Sequence, residues 1–453
     1  MRRLIPSWRS STYNEFEDGS RGNSMQALWR FNQRVGHWRA MRVIKQALRV
    51  TYPFILVMTL ISAIGQSCLT TNGFFFQIYH IGKWLPGLDL WQGAFQVMGL
   101  VVNNVVAVIV AFATGYFLAL TYKRSGLAVG LVSALAFLTL NVNYEALDQT
   151  KRAGEQGAQF MENNLGPQGI FLAIIVGLSV GWFVSKLLAK TTRWRWFERL
   201  TLTGRVAWAL VVVLVINVMI GYGLSWLSEG GLNGLVYLGT NALITNPGHY
   251  GIMILAVTTF NNLMWWLGLI GPVGLAGNNS VRSLQNLAAA VQHGSVWHAP
   301  YPVTLHTLGD AYANFGGAGM TLALIIAIWL GSRQVHYRRI ATQTFLPNLV
   351  NLNNATLLGL PVLYNPILLI PFLVAPAVNI MLAWCAITWK LVPPMAYPMP
   401  RTTPGPLMAY LGTGGDWRAL ILSLVCLTVS VLIYLPFVKL LNQTDQEATD
   451  DAA

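Results

Sequence analysis

The chain has 453 residues, 54% of them hydrophobic, and only 10% are Asp, Glu, Lys or Arg, against roughly 25% in an ordinary soluble domain. So few charges do not cover a globule of this size, which excludes a soluble enzyme, and the composition equally excludes a disordered or collagen-like chain. The excess charge is basic, 29 Lys and Arg against 16 Asp and Glu for a net +13, and its placement along the chain decides whether it marks a nucleic-acid partner or a membrane orientation.

Residues 1–49 form a basic segment holding ten of the 29 basic residues, from Arg2 to Arg49, and no apolar core that reads as a cleaved signal. The positive-inside rule puts this end in the cytoplasm. Residues 50–441 follow as the membrane domain. A spanning helix needs about 20 apolar residues. Charge-free runs of suitable length occur at Val50–Gly82, Leu90–Tyr122, Ser125–Tyr144, Asn163–Ser185, Val206–Ser228, Ala311–Ser332 and Ala419–Val438. Two further runs, Gly230–Val281 and Ile340–Trp389, are long and broken by Pro, Gly and Asn (Pro361, Pro366, Pro371 and Pro376 in the second). Re-entrant or broken segments around a polar cavity are expected there. The fold class is therefore all-α and polytopic, with about eight to ten spanning helices plus hairpins. Between two spans lies a second basic cluster, Lys186, Lys190, Arg193, Arg195, Arg199 and Arg205, interleaved with Trp194, Trp196 and Phe197. It reads as a loop lying on the lipid surface and not as a nucleic-acid patch. Residues 442–453 form a short acidic tail, expected to be disordered.

Polar side chains inside apolar runs are expensive, so they pair or line a pathway. Asn103-Asn104, Asn261-Asn262, Asn278-Asn279, Asn314, Asn351, Asn353, Asn354 and Asn365 interrupt the runs, several beside aromatic residues such as Trp266. Amides both donate and accept hydrogen bonds, and aromatic faces stack on sugar C–H faces. That chemistry fits a neutral polyol better than an ion path, which would call for carboxylates. Each Asn taken singly is also consistent with helix packing or a cap. No nucleotide-binding, zinc-protease or serine-hydrolase motif occurs, and His249, His298 and His306 have no metal-ligand spacing, so no cofactor or metal is expected. Asp310 reads as a cap before a glycine-rich turn, and Cys68, Cys385 and Cys426 as buried small hydrophobes.

Three motif stretches and two span segments carry a family resemblance. Asp310-Ala311 through Phe315-Gly316-Gly317-Ala318-Gly319-Met320-Thr321-Leu322 resembles a glycine-rich FGGxGxTL turn. Asn351-Leu352-Asn353 with Gly359-Leu360-Pro361 and Asn365-Pro366 resembles an NxNEP…GLPxxxNP signature. Pro400-Arg401-Thr402-Thr403-Pro404 with Gly414-Gly415-Asp416-Trp417-Arg418 resembles PWTTP…GGDWR. Ile44–Met58 and Leu165–Val176 resemble an early and a later span. The family is the membrane component IIC of the phosphoenolpyruvate-dependent sugar phosphotransferase system, lactose/cellobiose branch.

The resemblance implies a plasma-membrane sugar (oligosaccharide) permease, a homodimer, that presents its sugar to a separate IIB protein for phosphorylation. It points to Asn353 and Asn354 as the sugar-facing pair, and the cluster of amides and aromatics in the apolar runs adds Asn278, Asn314 and Trp266 as further candidate substrate contacts, with no catalytic side chain expected. Three positions depart from the family pattern. Asn354 stands where the family has Glu, Ile270 where it has His, and Arg401 where it has Trp. An amide binds a hydroxyl but is a very poor base. The alternative is therefore a IIC-fold protein without phosphotransfer, serving as a facilitator, a sensor or a partner of a glycan or export system.

Overall fold

The computed structural model describes residues 21–144, 146–147, 159–188, 201–227, 251–269, 271 and 281–450. Helices dominate, and no β-strand occurs among these residues; one isolated bridge joins Val142 to Phe160. Helix α1 (Arg21–Gly36) turns at His37-Trp38 into α2 (Arg39–Ile64). Residue 49 lies inside α2, whose first turns carry Arg39, Arg42, Lys45 and Arg49 ahead of the apolar run. Buried Val43, Ile44, Ala47, Leu48, Thr51, Ile55, Met58 and Thr59 recur at helical spacing and give α2 one packed face. The hydroxyls of Thr51 and Thr59 return to the carbonyls of Ala47 and Ile55, so neither needs an outside partner.

A π-turn (Gly65–Leu69) and two short helical turns lead to α3 (Leu88–Asn103), and the Asn103-Asn104 pair separates it from α4 (Val106–Thr121). Helices α5 (Gly126–Leu140), α6 (Ile170–Leu187) and α7 (Leu202–Leu227) complete a first bundle, in which α4 packs against α2, α5 and α6. Small residues set that packing. A Cβ on Gly181 would lie 3.2 Å from Gly115 Cα, and one on Gly177 2.7 Å from Thr114 Cβ. The backbones touch because no side chain intervenes, which is how helices associate in lipid without a hydrophobic drive.

The second bundle contains α8 (Gly251–Trp266), the amphipathic α9 (Val281–His293), α10 (Thr321–Gly331), α11 (Val335–Leu349), the short α12 (Asn354–Gly359), α13 (Pro366–Thr388), α14 (Gly405–Gly412) and α15 (Trp417–Asp450). Helix α13 packs on α8 and α15, and α10 on α15 and α11. Helix α2 belongs to both bundles, since α11 and α12 also lean on it. Among the described residues six helices are long and apolar enough to cross a membrane, starting at Arg39, Leu88, Pro167, Thr203, Pro366 and Trp417, and Gly126–Leu140 and Ala318–Gly331 are shorter apolar helices. Among the described residues the full-length spans therefore number six, against the eight to ten expected.

Several expectations change. The Ile340–Trp389 run is broken only in its first half, at residues 350–365. From Pro366 it is one continuous 23-residue helix with Pro371 and Pro376 inside it. Pro366 occupies the first turn, where its missing N–H costs nothing, and Asn365 Oδ1 caps that turn by accepting from Ile367 N–H at 3.0 Å. Neighbouring helices hold the two inner prolines. Asp310 is no cap: it lies in a π-turn (His306–Asp310) with its Oδ2 3.0 Å from His306 Nδ1. Of the cysteines only Cys426 is buried; Cys68 is half-buried and Cys385 exposed. Residues 442–450 of the acidic tail continue α15, which runs to Asp450, and residues 451–453 lie outside the described residues. In the second basic cluster, residues 189–200 lie outside the described residues, but Lys186 Nζ sits 4.2 Å from the centre of the Trp182 ring at the end of α6, as a lipid-interface pair would.

Candidate functional site: an amide junction at the glycine turn

Three loops meet at one turn. Between the π-turn and α10 the backbone enters the left-handed region at Gly316, Gly317 and Gly319, with φ of 80°, 99° and 73°. Glycine is required at all three positions for lack of room as well, a Cβ on Gly316 meeting the Leu322 backbone. A Cβ on Gly317 would lie 2.7 Å from Asn353 Cγ, and one on Gly319 would run into the Phe372 ring.

Amides hold the turn. Asn353 Nδ2 donates to Ala318 O at 3.0 Å. Asn351, itself at φ 63°, accepts from Gly316 N–H through Oδ1 at 3.0 Å. Its Nδ2 donates to Arg401 O at 3.0 Å and Thr403 O at 2.8 Å. One side chain thus fastens the glycine turn to the Pro400–Pro404 loop. Asn262 Oδ1, on α8, accepts from Gly319 N–H at 3.2 Å, and the Tyr434 hydroxyl donates to Gly319 O. Asn379, on α13, donates to Tyr312 O at 3.1 Å and Ser430 Oγ at 3.0 Å.

Of the residues expected to contact substrate, the structure gathers Asn353, Asn354 and Asn314 around this turn. Asn353 is buried, with Nδ2 engaged. Asn354 opens α12; it is half-buried, and its side chain has no partner among the described residues. Asn314 is likewise half-buried, its backbone carbonyl accepting from Gly317 N–H at 3.1 Å. Trp266 ends α8 with its ring centroid 6.1 Å from that of Tyr364, whose hydroxyl donates to Leu267 O at 2.8 Å. Asn278, His249 and Ile270 lie outside the described residues.

The arrangement is neutral. Its polar groups are amides, hydroxyls, an indole and backbone carbonyls, which bind hydroxyl groups in either sense. No group of three or more metal-ligating side chains occurs among the described residues. The titratable pair is His306–Asp310, in the turn that precedes the glycines. Asn262, one of the amides that interrupt the apolar runs, reaches this region, and Thr258 adds a further polar atom that the amide pattern does not single out; its four-residue spacing with Asn262 and Trp266 was the available signal.

The phosphotransferase system EIIC family profile matches residues 45–376. The cellobiose-specific EIIC component of Lactococcus lactis subsp. lactis (strain IL1403) is 29% identical over 396 residues, 77% of this chain and 80% of that one. The oligo-beta-mannoside-specific EIIC component of Bacillus subtilis (strain 168) is 22% identical, over 90% of this chain and 91% of that one. The lactose-specific EIICB component of Lacticaseibacillus casei is 30% identical over 181 residues, 40% of this chain and 31% of that one. Among solved structures, the crystal structure of the transporter ChbC, the IIC component from the N,N'-diacetylchitobiose-specific phosphotransferase system, aligns at a TM-score of 0.42 and 24% identity, covering 94% of this chain and 99% of that one. A profile match over most of the chain, with apolar helices long enough to span a bilayer, means that this multi-pass plasma-membrane protein belongs to the phosphotransferase system EIIC family and is a sugar-transporter component of that system.

Proposed function

We propose that the chain moves a β-linked disaccharide or short oligosaccharide of the cellobiose or mannoside kind and hands it to a separate EIIB protein. The observation that carries this reading is the free amide of Asn354 beside the amide-fastened glycine turn. Relatives named for cellobiose and oligo-beta-mannoside support the sugar class. The lactose-specific relative named EIICB supports an EIIB partner, there in the same chain. Relatives so named do not favour the facilitator or sensor alternative. Asn353 offers Oδ1 to the sugar and spends Nδ2 on Ala318; Asn354 offers both amide atoms. Asn354 orients a hydroxyl without accepting its proton. Asn314 and Trp266 extend the contact surface, and Asn278 is placed with them by sequence alone.

The reading includes a homodimer in the lipid bilayer with its N-terminus in the cytoplasm. Helix α3 supports the dimer. None of its residues is buried, and Phe95, Gln96 and Asn103 line one wall of a groove of about 690 Å³ whose other wall carries Gln66, while the Gln92 amide in the same groove bonds Leu69 O. Amides facing lipid are costly, whereas across a helix–helix contact they pair. The positive residues of α1 and α2 support the orientation.

The test is exchange of radiolabelled cellobiose across proteoliposomes loaded with unlabelled sugar, with mannobiose and lactose as competitors. The wild-type chain exchanges label, and Asn354→Ala weakens half-saturation about tenfold, the loss of roughly one hydrogen-bonded contact. Exchange with no β-linked sugar, or an Asn354→Ala chain indistinguishable from wild type, overturns the reading.

A further inference from the structure

Helix α8 carries three polar side chains at four-residue intervals, Thr258, Asn262 and Trp266, which places them on one face, one above another at about 6 Å per step. Each seals against a different piece of the second bundle. Thr258 Oγ1 lies 4.0 Å from where a Cβ on Gly309 would stand, in the π-turn. Asn262 Oδ1 holds Gly319 N–H in the glycine turn. The Trp266 ring faces Tyr364. Thr258 and Asn262 are 8% and 2% exposed. Yet every rung keeps one buried polar atom without a hydrogen-bond partner among the described residues: Thr258 Oγ1, Asn262 Nδ2 and Trp266 Nε1.

Buried polar atoms are nearly always paired, so three orphans in one row need a reason. At the two outer rungs a permanent contact would be better made by Val and Phe, which fill the same space without stranding a polar atom, whereas Asn262 at least holds Gly319 N–H through Oδ1. The orphans share a chemistry. One hydroxyl, one amide NH2 group and one indole N–H are neutral hydrogen-bonding groups, of the kind that pair with sugar hydroxyls. They are also too enclosed to reach a ligand while α8 rests on the turn.

We propose that the Thr258–Asn262–Trp266 face of α8 is a stowed hydroxyl-binding row, shut against the π-turn, the glycine turn and Tyr364 in this conformation, that takes sugar hydroxyls when α8 and the glycine turn part. The inference rests on the sugar-transport reading and adds where the moving contact lies. The shut contact is weakened by its own unpaired atoms, and a sugar that pairs them favours the open state by that difference in affinity.

The full-length protein tests it through Thr258→Val and Trp266→Phe, which keep the packing shape and remove one orphan each. Both raise the Tm of the sugar-free protein, and both cut cellobiose exchange at least about fivefold while shrinking the Tm increase that cellobiose produces. Thr258→Ser, which keeps the hydroxyl, stays near wild type. If Thr258→Val and Trp266→Phe raise Tm but leave exchange and the sugar-induced shift unchanged, the row is a packing seam and the proposal falls while sugar transport stands. Trp266→Phe carries the same decision if Thr258→Val does not fold. A wild-type chain that exchanges no β-linked sugar overturns the reading and this inference together.

Discussion

Asn351 shows how much one side chain fixes. Its φ of 63° is tolerated by Asn better than by most residues, and its amide joins Gly316, Arg401 and Thr403. Asn351→Ala strands one N–H and two carbonyls, so the purified protein should lose about 2–3 kcal/mol and several degrees of Tm, read by thermal unfolding in detergent. Asn351→Asp should recover only the Gly316 bond, since a carboxylate cannot donate to the two carbonyls. Gly317→Ala is predicted to be as damaging for a different reason. The φ of 99° is closed to Ala, and the new Cβ would press on Asn353, so sugar affinity should fall together with Tm. These residues were legible as a motif, FGGAG with NLN and PRTTP. Their wiring was not, because no spacing rule says which amide reaches across 35 or 52 residues to which backbone N–H or carbonyl. Asp310 failed for the same reason. A residue before a turn reads as a cap, whereas its partner is His306, one π-turn back.

At the scale of elements, apolar length read correctly and proline content did not. The run containing Pro366, Pro371 and Pro376 looked broken, yet α13 is continuous, because a helix packed against α8 and α15 keeps prolines that an isolated helix would not. Composition records the missing donors but not the neighbours that compensate for them. Helix α3 presents the opposite case. It reads as an ordinary span, but Gln96 is exposed on it and no residue of it is buried. Covered by a second copy, that face predicts that Gln96→Leu combined with Asn103→Leu shifts the detergent-solubilised protein from dimer toward monomer in light scattering. A monomeric wild type, or a double variant that stays dimeric, contradicts the arrangement.

For the whole molecule, the low charge announced the bilayer, and the basic N-terminal segment predicts that this end is cytoplasmic. A reporter active only in the cytoplasm, fused before Met1, should be active, and one active only outside should be silent. What the composition hid is that the two bundles share a helix. Tyr52, on the packed side of α2, bonds Gln343 at 3.1 Å across 291 positions of chain, and its ring would meet a Cβ placed on Gly359. During synthesis α2 enters the membrane among the first helices, and α11 and α12 emerge only after nearly three hundred further residues. One side of α2 therefore spends most of biogenesis without its native neighbours. Assembly of the second bundle is completed around a surface that the first bundle has kept waiting, and a chain interrupted before residue 340 leaves that surface bare to lipid, to other nascent helices and to quality-control proteases.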